Sequence, residues 1–444
     1  MKYIEKAVDK YRQLILDAER HIWATPETGF KEVETSKYLE TEMRKLGYDL
    51  VMAGDIPGFY TVIDTGRRGP EVLVLGELDS VICSAHPESN KETGAVHSCA
   101  HHAQTATLLG VAAILKEPGV LDGLSGRIRL CFVPAEELLE IEYRIGLKNK
   151  GIIKYLEGKS EFLHRGYFDG VDMAFMVHTS TDFAIRRGSV GALSKNVIYK
   201  GKSSHAGGSP QDGINALYAA NLGLNAINSI RETFVEKDIM RVHPIITHGG
   251  DMVNAIPHEV KLESYVRGKT FDAIVKENKK INRALIGSAL SLGANIEIID
   301  MPAFAPLLND TGMMELAKDA AEIAIPEEKL SYSPDAIGSG STDMGDLSCI
   351  MPVVHPYAGG RIGTSHGADI YVTEPERACV KCAKWQVTML KLLLQNDAER
   401  AKTILKNFKP LFKSKEEFLK FQDSLNCSGN RIIYKEDGTA EIKL

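Results

Sequence analysis

Short apolar runs that stop abruptly at acidic or imidazole side chains constrain this chain most. Val72-Leu73-Val74-Leu75 ends at Gly76 and is followed by Glu77-Leu78-Asp79. Arg127 to Val133 alternates, with Ile128, Leu130 and Phe132 on one side, and gives way to Pro134-Ala135-Glu136-Glu137. Val171 to Val177 runs directly into His178. Apolar runs of this length read as strands buried on both faces of a sheet. Helical patterns lie between and around them: Tyr3 to Ile22, Lys31 to Leu46 with Gly47 as its stop, Gln104 to Lys116, Gly312 to Ile325 and Glu376 to Leu394. Strands alternating with helices predict an α/β fold with a mixed, mostly parallel sheet.

From about Val190 the pattern changes. Leu193–Tyr199 reads as a strand, and a helix opening at Ser209-Pro210-Gln211-Asp212 carries Ile214, Leu217, Ala220, Leu224 and Ile227 at helical spacing. Strands at Ile245–Thr247 and His258–Val266, a helix at Phe271–Leu292 and a strand at Asn295–Ile299 complete a β-α-β-β-α-β order, which is ferredoxin-like. Residues 1–189 and 304–444 are therefore expected to form one domain, with an α+β domain, 190–303, inserted into it. The lysine-rich tail beyond Asn396 is expected to be a solvated helical surface.

Charge narrows the partners. Fifty-three Lys and Arg against fifty-nine Asp and Glu give a formal charge of −6, which argues against a broad nucleic-acid footprint and leaves small molecules. The longest apolar runs fall far short of the ~20 residues that span a bilayer, so no membrane partner is expected. The N-terminus is charged and lacks the apolar core of a signal peptide. The seven cysteines are odd in number and scattered, which argues against a disulfide framework. A cytosolic protein is the expectation.

Ligands of α/β sheets sit outside the carboxyl ends of the strands, where Glu77, Asp79, Glu136, Glu137 and His178 fall. Two further groups join them: His97-Ser98-Cys99-Ala100-His101-His102, just before a helix, and Thr364-Ser365-His366-Gly367 in a glycine-rich stretch. A lone histidine is most often structural, and His21, His86, His164, His243, His248, His258 and His355 keep that reading. Thiolate, imidazole and carboxylate together are a zinc- or manganese-type donor set. Of two adjacent carboxylates on extended backbone, one can bind metal while its neighbour faces substrate. A carboxylate beside a metal-acidified water can take its proton, so the chemistry expected is hydrolysis of an amide or ester.

The residues carry a family likeness along nearly the whole chain. PETGFKEVE at Pro26, GELDS at Gly76, HSCAHH at His97, PAEE at Pro134, GKSSHAG at Gly201, NAIP at Asn254, STDMGD at Ser341 and TSHG at Thr364 resemble, in order and spacing, the M20 metallopeptidase and amidohydrolase family. The likeness is to its aminoacylase-like, hippurate-hydrolase-like and aminobenzoyl-glutamate-hydrolase-like branch. The resemblance implies two divalent metals per chain, zinc or manganese, with Cys99 as a ligand able to bridge them and His101, Glu137, His178 and His366 as the others. It implies Glu136 as general base, with Asp79 orienting a ligand and tuning that base. His205 would stabilise the oxyanion from the partner subunit of a homodimer, and Asn254 and Arg267 would hold the substrate. The inserted domain would act as lid and dimerisation domain. The substrate implied is an N-acyl amino acid or a small dipeptide-like amide. The alternative is a non-catalytic small-molecule-binding homologue that keeps the metal site.

Several positions depart from that pattern. Ala100 and His102 stand where the branch usually has Gly and Asp or Asn, and His102 would either alter hydrogen bonding behind the ligands or add a nitrogen donor. Glu77 replaces a commoner Asp. Leu138 to Arg165 looks longer and more charged than usual, with Lys148, Lys150, Lys154 and Lys159; it reads either as a surface excursion or as a pocket rim. Cys379-Val380-Lys381-Cys382 lies inside a helical pattern with no second pair, so packing is expected there. Gly338-Ser339-Gly340 lacks the Lys-Ser/Thr of a phosphate loop, and Ser203-Ser204-His205 lacks a nucleophile elbow.

Overall fold

The strand Glu71–Glu77 is buried at every position, as its unbroken apolar run requires, and it occupies the interior of a six-stranded sheet. A computed structural model describes residues 2–444 and divides the chain into two compact units. The first unit contains the chain up to Gly188, Leu307–Gly338 and Thr342–Lys415. Its main sheet runs in the order Val51–Met52, Phe59–Asp64, Arg127–Val133, Glu71–Glu77, Met173–Phe175, Val353–Val354. The last four strands are mutually parallel, and the first two add an antiparallel edge.

The helix His101–Leu115 is buried along its whole length, so it is apolar on every side rather than amphipathic. It begins three residues before the predicted start. The pattern missed that turn because His101 and His102 are polar yet fully buried. Gly110 lets the N-terminal helix, Lys2–Trp23, approach closely: a Cβ there would lie 2.5 Å from Cδ1 of Ile15. On its other side the helix meets Cys382–Asn407, whose Trp385 is fully buried and donates its Nε1–H to the Ala317 carbonyl at 2.8 Å. Cys379 and Cys382 are free and buried in this core.

The second unit comprises Ser189–Pro306, Ser339–Ser341 and Glu416–Leu444. Its sheet is antiparallel, in the order Arg241–Val242, Glu259–Gly268, Gly191–Lys200, Asn295–Phe304, with Ile245–His248 also paired to Glu259–Gly268. Two helices, Ala216–Ile230 and Phe271–Ser291, supply its core together with the sheet. This is the ferredoxin-like strand order.

The tail departs from expectation. Glu416–Leu444 is not a solvated continuation of the first domain but belongs to the second unit. Its helix Lys415–Leu425 buries Phe418, Leu419 and Gln422, and the chain then pairs with the edge of Asn295–Phe304. Asp300 and Cys427 exchange backbone hydrogen bonds at 2.7 and 2.9 Å. The lysines mark only the outer face of this segment, so composition hid the buried one. Among the described residues no helix is long and apolar enough to cross a membrane.

Replacing Trp385 by Ala removes the largest fully buried side chain and should cost about 3–5 kcal/mol. Only Trp23 then remains in the chain, and it also lies in the first unit. Thermal unfolding followed by its fluorescence should shift clearly downward, and an unchanged midpoint would contradict this account of the core.

Candidate metal centre

The parallel strands deliver their polar ends to one place in the first unit. Asp79 follows the strand Glu71–Glu77, Glu136 and Glu137 follow Arg127–Val133, and His178 follows Met173–Phe175. His101 opens the buried helix, with Cys99 two residues ahead. The loop carrying His366 is tied in by a hydrogen bond from its N–H to the Ser98 carbonyl at 2.8 Å.

Donor atoms of Cys99, His101 and His178 lie within 4.8 Å of one another, and so do those of Cys99, Glu137 and His366. Cys99 is common to both groups. Its Sγ is 3.4 Å from Nε2 of His178, and Nε2 of His366 is 2.7 Å from Oε1 of Glu137. The fit to metal is tested by His101. Its Nδ1 meets the Asp79 carbonyl at 3.0 Å and Oδ1 at 3.2 Å, which fixes the ring, while Nε2 is buried and has no hydrogen-bond partner. A buried nitrogen left open among a thiol, two imidazoles and carboxylates suits a zinc-type ion.

Asp79 serves two donors at once. Beyond orienting His101, its Oδ2 accepts the N–H of Glu137 at 2.7 Å. The turn bearing Glu136 and Glu137 is clamped further by two residues that sequence reading did not single out. Oε1 of Glu32 accepts the Ala135 N–H at 2.7 Å, and buried Arg144 donates to the Glu137 carbonyl. These clamps hold unusual backbone at Ala135, a conformation that two other turns of the site share. Ala135 (φ 57°), Ala100 (φ 68°) and His366 (φ 61°) all sit in the left-handed region. That conformation costs roughly 1–2 kcal/mol for a residue with a side chain.

Electrostatics separate the two adjacent glutamates. Burial lifts Glu136 well above the usual carboxylate range, and Glu77, Glu137 and Asp343 add to the lift. For Glu137 burial acts in the same direction, but His366 outweighs it and holds the carboxyl well below that range. Burial and Glu137 push the Cys99 thiol up, yet His101 and His178 bring it down to about 6. A thiol so placed is ready to act as thiolate.

His102 is not gathered with the donors. Its Nε2 faces Glu19 at 3.2 Å and its ring packs on Trp23. His355, read as structural, packs against His178 with ring centroids 5.8 Å apart. The segment Leu138–Arg165 is neither a plain excursion nor a plain rim, because Arg144 and Lys159 are buried while Lys150 is exposed.

His205, Asn254 and Arg267 belong to the second unit. His205 is exposed, and its Nδ1 accepts the Gly208 N–H at 2.9 Å. Asn254 lies beside it, its carbonyl accepting the Ala206 N–H at 3.0 Å. Arg267, on the strand Glu259–Gly268, reaches Ser341 Oγ at 3.4 Å and lies over the Tyr265 ring.

Known proteins resemble this chain over most of its length. The profile of peptidase family M20/M25/M40 matches residues 73–392. The N-acetyl-L-cysteine deacetylase of Bacillus subtilis is 30% identical over 329 residues, covering 70% of this chain and 72% of that protein. The human Xaa-Arg dipeptidase is 30% identical over 372 residues, covering 79% and 78%. A Bacillus subtilis structure described as a dinuclear metal-binding peptidase of the M20 family superposes with a TM-score of 0.62 at 20% identity, covering 87% of this chain and 99% of that one.

Asp79→Asn keeps size but gives up one of the two acceptor oxygens. Loss of such an orienting partner typically costs 10–100-fold in metal affinity or activity. Titration of metal-free protein against a competing chelator should show metal affinity falling by that order, and an unchanged affinity would remove Asp79 from this role.

Proposed function

The chain belongs to peptidase family M20/M25/M40, and from that membership and the donor geometry we propose that it cleaves the amide bond of N-acyl amino acids or small dipeptide-like substrates at a two-metal centre. It is a metal-dependent amidohydrolase. The observation that carries the reading is Cys99, the donor that the Cys99–His101–His178 and Cys99–Glu137–His366 clusters share. Five donors are too few for two closed four-coordinate shells unless one bridges and solvent completes them. Cys99, His101, Glu137, His178 and His366 are the proposed ligands, and zinc or manganese the ions. Such ions supply an acidified water and polarise the scissile carbonyl.

The chain's own groups do the rest. Glu136 is 6% exposed; it takes the proton of the attacking water and passes it to the leaving amine. A purely binding homologue would gain nothing from so poorly solvated a carboxylate. Because Nδ1 of His205 accepts a backbone N–H, its Nε2 carries the proton and can donate to an oxyanion. Asn254 and Arg267 hold the substrate's carboxylate or its backbone-like groups. We place the enzyme in the cytosol as a homodimer in which the second unit serves as lid and dimerisation domain and His205 acts across the interface. Two features support the pairing: the edge strand Ile245–His248 exposes Ile245 at 60%, and nearby Met252 and Val253 are exposed at 61% and 102%. A bare apolar edge of this kind is normally covered.

Amine release from N-acetyl-L-cysteine, other N-acyl amino acids and dipeptides ending in Arg, with Zn²⁺ or Mn²⁺ added, tests the activity. It should vanish on chelation. Glu136→Gln should lower turnover by ~10²–10⁴ while bound metal stays at the wild-type level. Retained turnover would remove Glu136 as base, and lost metal would mean that the two glutamates exchange roles.

The cross-subunit role is tested by mixing inactive His205→Ala and Glu136→Gln proteins under subunit exchange. In a mixed dimer the chain lacking His205 keeps Glu136 and receives His205 from its partner, so one site in two is complete. Recovery toward half activity per mixed dimer is expected. No recovery, with exchange confirmed by mass, would place His205 within its own chain's site or outside the chemistry.

A further inference from the structure

Two departures from the family pattern, Glu77 and the charged segment Leu138–Arg165, meet the motif that begins at Ser341 in one buried ion group. Lys159, Glu77 and Asp343 are all fully buried. The Lys159 ammonium bonds Oε1 of Glu77 and Oδ1 of Asp343, and its backbone N–H donates to Oδ2 of Asp343 at 2.9 Å. Gln104 holds the other side of Glu77: its Nε2 donates to Oε2 at 3.1 Å and its Oε1 accepts the Glu77 N–H at 2.7 Å. Both oxygens of Glu77 are therefore engaged. Gly158 allows this approach, since a Cβ there would collide with the Pro134 carbonyl.

The held carboxylate stands beside the metal centre. Oε2 of Glu77 is 3.3 Å from Nε2 of His101, the nitrogen left open for metal, and Glu77, His101 and Glu136 form a third group of donors within 4.8 Å. A carboxylate at that distance is itself a competent ligand. Added to the five proposed donors, it would fill the position that a hydrolytic site must keep open for water.

Building on the metal-centre reading above, we propose that Lys159 is a positioning residue that, with Gln104, holds Glu77 out of the metal coordination shell and so preserves the place of the attacking water. Removing one partner of a buried ion pair leaves the other charge uncompensated. Without Lys159, a cation held by His101, whose Nε2 is 3.3 Å from Glu77, would be the compensation open to that carboxylate.

The test uses full-length protein loaded with Co²⁺, whose visible absorption reports coordination number. Lys159→Met should keep about two cobalt ions per chain, lose visible intensity as a ligand is added, and turn over at least tenfold more slowly with little change in KM. The double variant Glu77→Gln/Lys159→Met replaces the competing carboxylate by an amide. It should regain the wild-type spectrum and most of the lost turnover, a rescue that a merely structural lysine would not produce. Gln104→Leu frees the other oxygen of Glu77 while leaving Lys159 in place, so it should shift the spectrum the same way even where Lys159→Met fails to fold. A wild-type spectrum in Lys159→Met or in Gln104→Leu overturns the proposal, as does a double variant no better than the single one. Wild-type protein that takes up no cobalt overturns the metal-centre reading along with it.

Discussion

Five carboxylates, Glu77, Asp79, Glu136, Glu137 and Asp343, crowd the ends of the parallel strands, and four of them are 6% exposed or less. Like charges in a poorly solvated place cannot all remain ionised without partners. The structure assigns partners unevenly. Asp79 is committed to His101 and a backbone N–H, Glu137 to His366, and Glu77 and Asp343 share Lys159. Among the described residues Glu136 has no ion pair with a lysine or arginine, and its approach to His101 is a distant 3.9 Å. Its raised proton affinity follows from the neighbours' being satisfied first. Environments that push neighbouring titrating groups apart are how acid and base roles are divided.

The same arrangement explains which parts of the architecture matter to the centre. The strand order sets where Asp79, Glu136 and His178 emerge, but the turn after Arg127–Val133 would not hold its left-handed Ala135 unaided. Glu32 from the N-terminal region and Arg144 from the segment beyond the turn grip it from two sides. One ionisable residue from a distant part of the chain and one from close by thus support a strained turn, as functional sites commonly require.

Sequence carried the elements whose signal is local. Apolar runs and their polar ends disclosed the parallel sheet and its chemistry, and the β-α-β-β-α-β order of the second unit was readable from periodicity. What escaped depended on side chains acting against their usual type. Lys159 has the composition of a surface residue and lies fully buried. His101 and His102 look like helix-breaking polar positions and are core. The lysines of the tail advertised solvent while Phe418 and Leu419 turned inward. His355 carried no motif, and only the folded chain brings it against His178. In each case the deciding partner is far away in sequence, where no local pattern can register it.

The tail's pairing with Asn295–Phe304 has a consequence for synthesis. That strand ends its sheet, and its outer edge is closed by backbone bonds to Cys427, Gly429 and Arg431. At about 5–20 residues per second, the ribosome adds the roughly 120 intervening residues in some 6–25 s. Throughout that interval the nascent sheet carries a bare edge, the kind of template that recruits other strands. Molecules made side by side on one messenger would share that window, and their yield would depend on how well a single strand is shielded until the segment around Cys427 arrives.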